Sequence, residues 1–179
     1  MSFLPELIIG LWIIIPAYAA NGFAPLAHGK RRMDFGKKFS DGRDIFGKGK
    51  TWEGFVFAIF VGVVVGLIEM ALYPYVSVAL LKEGLTVPRL SLLSVFLISF
   101  GAMVGDLVGS FIKRRVDIES GEPAPLLDQL DFVFGAFFFA SLVMKLTALS
   151  FVLITIITPI IHVIASIIGH KIGAKKVPW

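Results

Sequence analysis

Residues 52–72 read WEGFVFAIFVGVVVGLIEMAL, an apolar run that carries only two charged side chains, Glu53 and Glu69. A helix that crosses a membrane needs about 20 mostly apolar residues, because the hydrocarbon core is about 30 Å thick. This segment has that length, and 56% of the 179 residues in the whole chain are hydrophobic. The sequence therefore predicts an integral membrane protein rather than a soluble domain.

Four further apolar stretches flank this segment. We predict five transmembrane helices, over about 7–27, 52–72, 90–112, 132–146 and 149–169. The last two form one apolar tract that would greatly exceed the bilayer thickness as a single helix, so we expect a tight hairpin near residues 145–150. The expected fold is one all-α membrane domain that covers residues 1–179.

The basic residues predict the orientation of these helices. Fourteen of the 17 Lys and Arg fall in the first loop, in the third loop and in the C-terminal tail, and only Lys82, Arg89 and Lys145 fall on the other side. Positive charge stays cytoplasmic. We therefore expect the N-terminus outside, the C-terminus inside, and cytoplasmic loops at residues 28–51 and 113–131 of a multi-pass cell-membrane protein.

Asp106 is a candidate functional residue because it lies near the cytoplasmic end of the third predicted helix. An ionisable group at that depth costs several kcal/mol and usually faces a wet cavity or a partner. Ser110 and Lys113 follow at helical spacing and share its face. A carboxylate, a hydroxyl and an ammonium group in one stripe suit a metal-bound phosphate, whereas a structural salt bridge is the simpler alternative.

Asp128 and Asp131 form a second candidate site just before the fourth predicted helix. Carboxylates three residues apart on a helix point the same way and repel each other unless a cation lies between them. The chain has no cysteine, and hard oxygen ligands without Cys favour Mg²⁺ over zinc. The alternative is capping of the helix N-terminus, which explains one aspartate better than two.

The first loop is rich in glycine and basic residues, and its sequence over residues 42–54 is GRDIFGKGKTWEG. Backbone N–H groups, cationic side chains and a following helix N-terminus together favour a polyphosphate. Asp44 stands where a P-loop would begin with glycine, and a membrane helix follows, so we reject a P-loop. The alternative is that these cations only enforce topology.

These motifs together resemble a known family. Gly105-Asp106, the run Ser110-Phe111-Ile112-Lys113-Arg114 and Asp128-Gln129-Leu130-Asp131 resemble the signature of CTP-dependent phosphatidate cytidylyltransferases. Residues 48–54, KGKTWEG, are similar to that family's Lys-Lys-Thr-x-Glu-Gly run. The middle of the signature is not matched, and Gln129 replaces its Arg. The short chain looks like the archaeal branch of the family, the CDP-archaeol synthases, over roughly residues 21–135.

The resemblance implies transfer of a cytidylyl group from CTP to an isoprenoid ether-lipid phosphate. It implies Mg²⁺ at Asp106, Asp128 and Asp131, with Lys113 also catalytic. It assigns nucleotide and phosphate binding to a larger set: Arg43, Lys48, Lys50, Thr51, Ser110 and Arg114. The expected partners are CTP, the lipid phosphate and the bilayer, with no nucleic acid despite the net charge of +4. The sequence assigns no oligomeric state.

Two other functions fit parts of this pattern. A small membrane transporter would also place an aspartate such as Asp106 inside a helix, but it would need polar groups across the whole bilayer depth. The CDP-alcohol phosphotransferases need Asp-Gly-x₂-Ala-Arg, which the residues after Asp41-Gly42 do not supply. We therefore reject the second class and retain the transporter as the alternative.

Overall fold

The computed structural model describes residues 3–171, and within them the only regular elements are helices. The five α-helices are α1 (Phe3–Phe23), α2 (Trp52–Lys82), α3 (Leu92–Arg115), α4 (Leu127–Ser141) and α5 (Ala148–Lys171). A short 3₁₀ turn, Ala24–Ala27, follows α1. The prediction of an all-α membrane protein is confirmed.

Four of these helices, α1, α2, α3 and α5, are long and apolar enough to cross a bilayer. The fourth helix, α4, has 15 residues and a length of about 22 Å at 1.5 Å per residue, which is less than the hydrocarbon thickness. The five spans and the inward or outward direction of each terminus therefore stay predictions. Lys175 and Lys176, which contributed to the predicted orientation, lie outside the described residues.

The predicted boundaries of the second and fourth helices were wrong. The second helix does not end at residue 72 but continues to Lys82, with Pro74 inside it. The residues after Pro74 are again apolar, and the helix accommodates the backbone hydrogen bond that proline cannot make. The fourth helix begins at Leu127 and ends at Ser141, so the hairpin turn occupies residues 142–147, slightly before its predicted place.

The helices alternate in direction along the chain. Near the start of α1, Glu6 accepts hydrogen bonds from Thr147 and from Ser150 at the start of α5. Near the end of α1, the Tyr18 hydroxyl lies 2.7 Å from the Thr158 hydroxyl farther along α5. The first and fifth helices are therefore parallel, and the first loop shares one end of the bundle with the segment between α3 and α4.

Glycines bring α3 and α4 into close contact at this end of the bundle. A methyl group at Gly105 would collide with the Asp131 carbonyl oxygen, and one at Gly109 would collide with the Asp131 carboxylate. Gly101 and Gly135 approach each other's backbone in the same way. Small residues at four-residue spacing allow such backbone contact between membrane helices. The seam therefore positions Asp131 directly against α3.

Candidate active site

The first loop, residues 28–51, is folded around a buried carboxylate. The Asp34 side chain is fully buried and accepts hydrogen bonds from Arg32 and from the backbone N–H groups of Gly36, Phe46 and Gly47. Burial alone would raise the pKa of Asp34, but these hydrogen bonds outweigh it and hold the pKa well below its usual range. The glycine-rich segment of the loop is thus held in place by one charged group.

This loop is fastened to the C-terminal end of α3. The Arg43 guanidinium donates to the Arg115 carbonyl oxygen at 2.7 Å and to Asp117 at 2.6 Å. The Arg115 guanidinium donates to the Asp44 carbonyl oxygen at 2.6 Å and lies 4.7 Å from the ring centres of Phe39 and Phe111. Cations over aromatic faces in partly buried places contribute about 1–2 kcal/mol each. Arg43, a predicted nucleotide ligand, is therefore engaged in holding the loop.

A cavity of about 330 Å³ lies between this loop and the ends of the helices. Three of the predicted binding residues, Lys48, Lys50 and Thr51, line it together with Asp106. Thr51 also caps α2 by accepting a hydrogen bond from the Gly54 N–H at 3.2 Å. The cavity thus combines two ammonium groups, the N-terminal end of a helix and a carboxylate, which suits a polyphosphate with a cation.

Lys50 and Asp106 form the central ion pair of the cavity. The Lys50 ammonium lies 2.7 Å from both carboxylate oxygens of Asp106, and both side chains are partly buried. The two residues are 56 positions apart in the sequence. The structure therefore joins a residue of the predicted nucleotide loop to a residue of the predicted metal site.

Asp131 lies next to this pair and has no cationic partner among the described residues. Its only side-chain hydrogen bond there comes from the Phe132 N–H, at 2.6 Å. Asp106 is near enough to repel it electrostatically, and Lys50 is near enough to attract it. Two carboxylates close enough to repel each other, of which only Asp106 is paired with an ammonium group, leave negative charge that a divalent cation would neutralise.

Asp128 has a different partner. Both of its carboxylate oxygens accept from the Lys113 ammonium, at 2.9 and 3.1 Å, and one also accepts from the Ala124 N–H. The same ammonium group donates to the Glu122 carbonyl oxygen at 2.6 Å. The pair therefore secures the segment between α3 and α4, and the Asp128 carboxylate, which the sequence suggested as a cation ligand, is paired with Lys113 in this structure.

The last two predicted phosphate ligands, Ser110 and Arg114, are buried on α3. Nε of Arg114 has no hydrogen-bond partner within the described chain, and it lies against Gly47 of the first loop. A buried guanidinium nitrogen without a partner is costly, and an anion that accepted a hydrogen bond from it would remove this cost. Neither Ser110 nor Arg114 lines the cavity described above.

The acidic residues partly fit a magnesium ion. No three His, Asp or Glu side chains are close enough to hold a metal within residues 3–171, and Lys50 and Lys113 are paired with two of the three predicted ligands. The donors are nevertheless hard carboxylate oxygens beside phosphate-binding cations, which is the chemistry Mg²⁺ prefers, since it takes one or two carboxylates plus phosphate oxygens. Asp106 and Asp131 fit this role without further ligands.

Sequence reasoning missed several residues that shape the site, above all Asp34 and Ser120. Asp34 precedes Phe35 and Gly36 in an Asp-x-Gly pattern that is typical of side-chain-stabilised turns, and this signal was present in the sequence. The Ser120 hydroxyl accepts a weak hydrogen bond from the Gly49 N–H at 3.4 Å. Nothing in the sequence indicates that contact, because 71 positions separate the two residues.

Comparison with known proteins gives a consistent result. The family model described as "CarS-like: CDP-archaeol synthase" matches residues 3–179. A CDP-archaeol synthase of Methanocaldococcus jannaschii is 45% identical over 173 residues, which cover 97% of each chain. One of Thermococcus gammatolerans is 41% identical over 179 residues and all of both chains. A solved structure of an intramembrane enzyme for archaeal membrane lipid biosynthesis matches with a TM-score of 0.76 and 34% identity, over 90% of this chain and 94% of that one.

Proposed function

The chain belongs to the CarS-like family of CDP-archaeol synthases, and from this membership and the site we infer how it transfers a cytidylyl group from CTP to an isoprenoid ether-lipid phosphate. The products are a CDP-lipid and pyrophosphate. The chain has no cysteine, and no serine of the site is hydrogen-bonded to a base within residues 3–171, so we infer direct transfer between phosphates. Catalysis of this kind relies on positioning and charge neutralisation.

We assign the CTP triphosphate to the cavity under the first loop. Lys48 and Lys50 supply positive charge there, and Thr51 starts a helix whose N-terminal N–H groups favour anions. Arg43 acts on the nucleotide indirectly, because its hydrogen bonds to the end of α3 keep the loop over the cavity. The Arg114 guanidinium, whose buried Nε has no hydrogen-bond partner among the described residues and lies against Gly47 of the first loop, is the candidate ligand for a second phosphate group.

We assign Mg²⁺ to Asp106 and Asp131, the two carboxylates that α3 and α4 bring together. Asp128 joins them as a third ligand in this proposal only when Lys113 leaves it to bind a phosphate. When bound, the ion would neutralise negative charge on the phosphate oxygens while the new bond forms and pyrophosphate leaves. Lys50, now paired with Asp106, is the residue that must exchange partners when the nucleotide enters.

The reaction requires no acid or base from the protein. An oxygen of the lipid phosphate attacks the α-phosphorus of CTP, a new P–O bond forms, and the bond from the α-phosphorus to the bridging oxygen of pyrophosphate breaks. The chain's cations hold both phosphate groups in line and compensate their mutual repulsion. Such alignment alone can contribute about 7–11 kcal/mol to lowering a barrier.

One observation carries this assignment: the cavity that holds Lys48 and Lys50 also holds Asp106, beside an Asp131 without a cationic partner among the described residues. The test is an assay with labelled CTP and either ether- or ester-linked lipid phosphates, followed by analysis of the lipid extract. Asp106→Asn and Asp131→Asn should each abolish product formation in protein that still purifies folded. Glu83→Gln, at the exposed end of α2, is the matched control and should retain full activity.

The transporter alternative finds no support in these comparisons, since the relatives are named as synthases. It also makes a different prediction. CTP with Mg²⁺ should raise the thermal unfolding temperature of the purified protein if the cavity binds nucleotide. A transporter that uses Asp106 as its ion site would show no such dependence on CTP. We place the active site on the cytoplasmic face of the cell membrane, where CTP is available.

A further inference from the structure

The tip of the first loop, residues 35–39, exposes two aromatic rings with two lysines between them. Its sequence is FGKKF, and all five residues are exposed. Phe35 is 71% exposed and Phe39 is 44% exposed. Removal of a phenylalanine ring from water is favourable, so two exposed rings this close together indicate a surface that something covers.

The backbone of the tip holds Phe35 in this exposed position. Its φ is 50°, which is uncommon and unfavourable for a bulky residue. The turn is fixed from inside the loop, because the Asp34 carboxylate accepts from the Gly36 N–H at 3.0 Å and the Asp34 carbonyl oxygen accepts from the Lys37 N–H at 2.8 Å. The ring is therefore presented to its surroundings by a defined turn.

Phe39 places the tip at the boundary of the membrane. Its ring meets Phe111 of α3 edge to face, with ring centres 5.2 Å apart. Phe111 lies about one turn before the end of α3 at Arg115, and α3 is long and apolar enough to cross a bilayer. Exposed aliphatic side chains lie next to this contact on α3 and just after it: Ile112 and Val116. The tip thus lies beside the lipid-facing end of α3, where headgroups replace hydrocarbon.

The two lysines of the tip add a charge that needs a partner. Lys37 is exposed and makes no ion pair within residues 3–171. Lys38 is paired with Asp44 at 2.8 Å but still exposes 60% of its side chain. Lysines near a membrane surface attract anionic headgroups, and aromatic side chains are enriched at the same depth. Neutral lipid would cover the rings but would leave Lys37 without a counter-charge, so the tip fits anionic headgroups.

We propose that the loop tip docks on anionic lipid headgroups of the cytoplasmic leaflet and thereby holds the first loop closed over the cavity assigned to CTP. The docking is independent of the reaction, whereas its effect on CTP rests on the proposed function. Asp34 connects the two places, because its carboxylate accepts from the Gly36 N–H at the tip and from the Gly47 N–H next to Lys48 of the cavity. Contact between the tip and headgroups therefore stabilises the loop in its nucleotide-binding form.

A spin label tests the docking without CTP or lipid phosphate. The chain has no cysteine, so Phe35→Cys carries a single nitroxide label in the purified protein, which is placed in nanodiscs of neutral lipid with or without an anionic lipid. Access of a water-soluble relaxation reagent to this label should fall several-fold when anionic lipid is present, and high salt should reverse the effect. A label at Glu119→Cys, exposed on the segment between α3 and α4, is the control and should not respond.

The effect on CTP is measured in the same nanodiscs. Lys37→Gln should raise the KM for CTP about fivefold in anionic nanodiscs, since one lysine at a membrane surface contributes about that factor to binding, and should have no effect in neutral ones. Each variant is compared with the unaltered protein at one lipid composition, because the anionic surface repels CTP equally in both. Lys82→Gln, an exposed lysine at the opposite end of α2, is the matched control and should leave this KM unchanged.

Equal access to the label at position 35 in neutral and anionic nanodiscs would overturn the docking and would leave a soluble protein as the partner of the tip. An unchanged KM for CTP in Lys37→Gln in anionic nanodiscs would overturn the coupling to the nucleotide. Failure of the proposed function gives a different result. The label would still be shielded by anionic lipid, but the unaltered protein would form no CDP-lipid.

Discussion

Replacing Asp34 tests whether the first loop must be folded for nucleotide binding. Asp34→Ala removes a carboxylate that accepts two hydrogen bonds from Arg32 and three from backbone N–H groups. The Gly47 N–H, which is buried, would lose its partner. Arg32 would keep only its hydrogen bond to Asp44, at 2.9 Å. No part of the cavity lining itself is changed.

The expected cost follows from these contacts. Removing one partner of a buried, hydrogen-bonded charge pair costs about 3–5 kcal/mol. The transmembrane helices do not share these hydrogen bonds, so their loss destabilises the folded loop and not the helix bundle. If the loop must fold before CTP binds, apparent affinity falls with the folded fraction. A loss of about 3 kcal/mol allows up to roughly a 100-fold increase in the KM for CTP.

The assay is CTP saturation at a fixed lipid concentration, combined with limited proteolysis of residues 28–51. Asp117→Asn is the control, because it removes the charge from an ion pair with Arg43 that is 75% exposed on the aspartate side and should contribute less than about 1 kcal/mol, while asparagine tolerates the positive φ of this position. If Asp34→Ala has the same KM for CTP and the same protease resistance as the unaltered protein, the reasoning is refuted.

The same carboxylate predicts a pH dependence. The pKa of Asp34 is lower in the folded protein than in an unfolded chain. Its contribution to stability is therefore complete above the unfolded pKa of about 3.9 and is lost only as the pH falls through the lower folded value. The first loop should remain resistant to protease from pH 8 to pH 5, and cleavage that begins near pH 6 would contradict this.

The remaining predictions concern α3 and α4. Gly105→Ala should separate the two helices where the new methyl group meets the Asp131 carbonyl oxygen, at a cost of about 1–3 kcal/mol, and should lower CDP-lipid formation at least tenfold. Gly22→Ala, which has open space around it, should not. Lys113→Met and Asp128→Asn should each lower activity. The loss in the double variant should be smaller than the sum of the two single losses, since the residues form one ion pair. Additive losses in a double-mutant cycle would show that the two residues act independently.

Hydropathy predicted the helices of this chain better than their ends. The tract over 142–147 is almost as apolar as the helices on either side of it, so nothing in its composition marks the turn. The second helix was predicted to end at residue 72, but α2 continues through Pro74 to Lys82, because a proline inside a helix removes one backbone hydrogen bond without always ending the helix.

In the site, too, the sequence predicted local features better than contacts between distant residues. The sequence predicted that Asp106, Asp128 and Asp131 would be close, since the C-terminal part of the third predicted helix and the start of the fourth lie at the same end of the bundle. It did not predict which cations they meet, because Lys50 reaches Asp106 across 56 positions and Lys113 reaches Asp128 across 15. Partner choice depends on the glycine seam and on the folded first loop, and neither is visible in a local pattern.

The central claim is that Asp106 and Asp131 together hold the divalent cation that accompanies CTP. Electron paramagnetic resonance of Mn²⁺, titrated into the purified protein with CTP, measures this binding without turnover. The account predicts saturable binding to the unaltered protein and a loss of affinity of at least about tenfold in both Asp106→Asn and Asp131→Asn, since even outer-shell partners of a metal contribute that much. Unchanged Mn²⁺ affinity in both variants would contradict it.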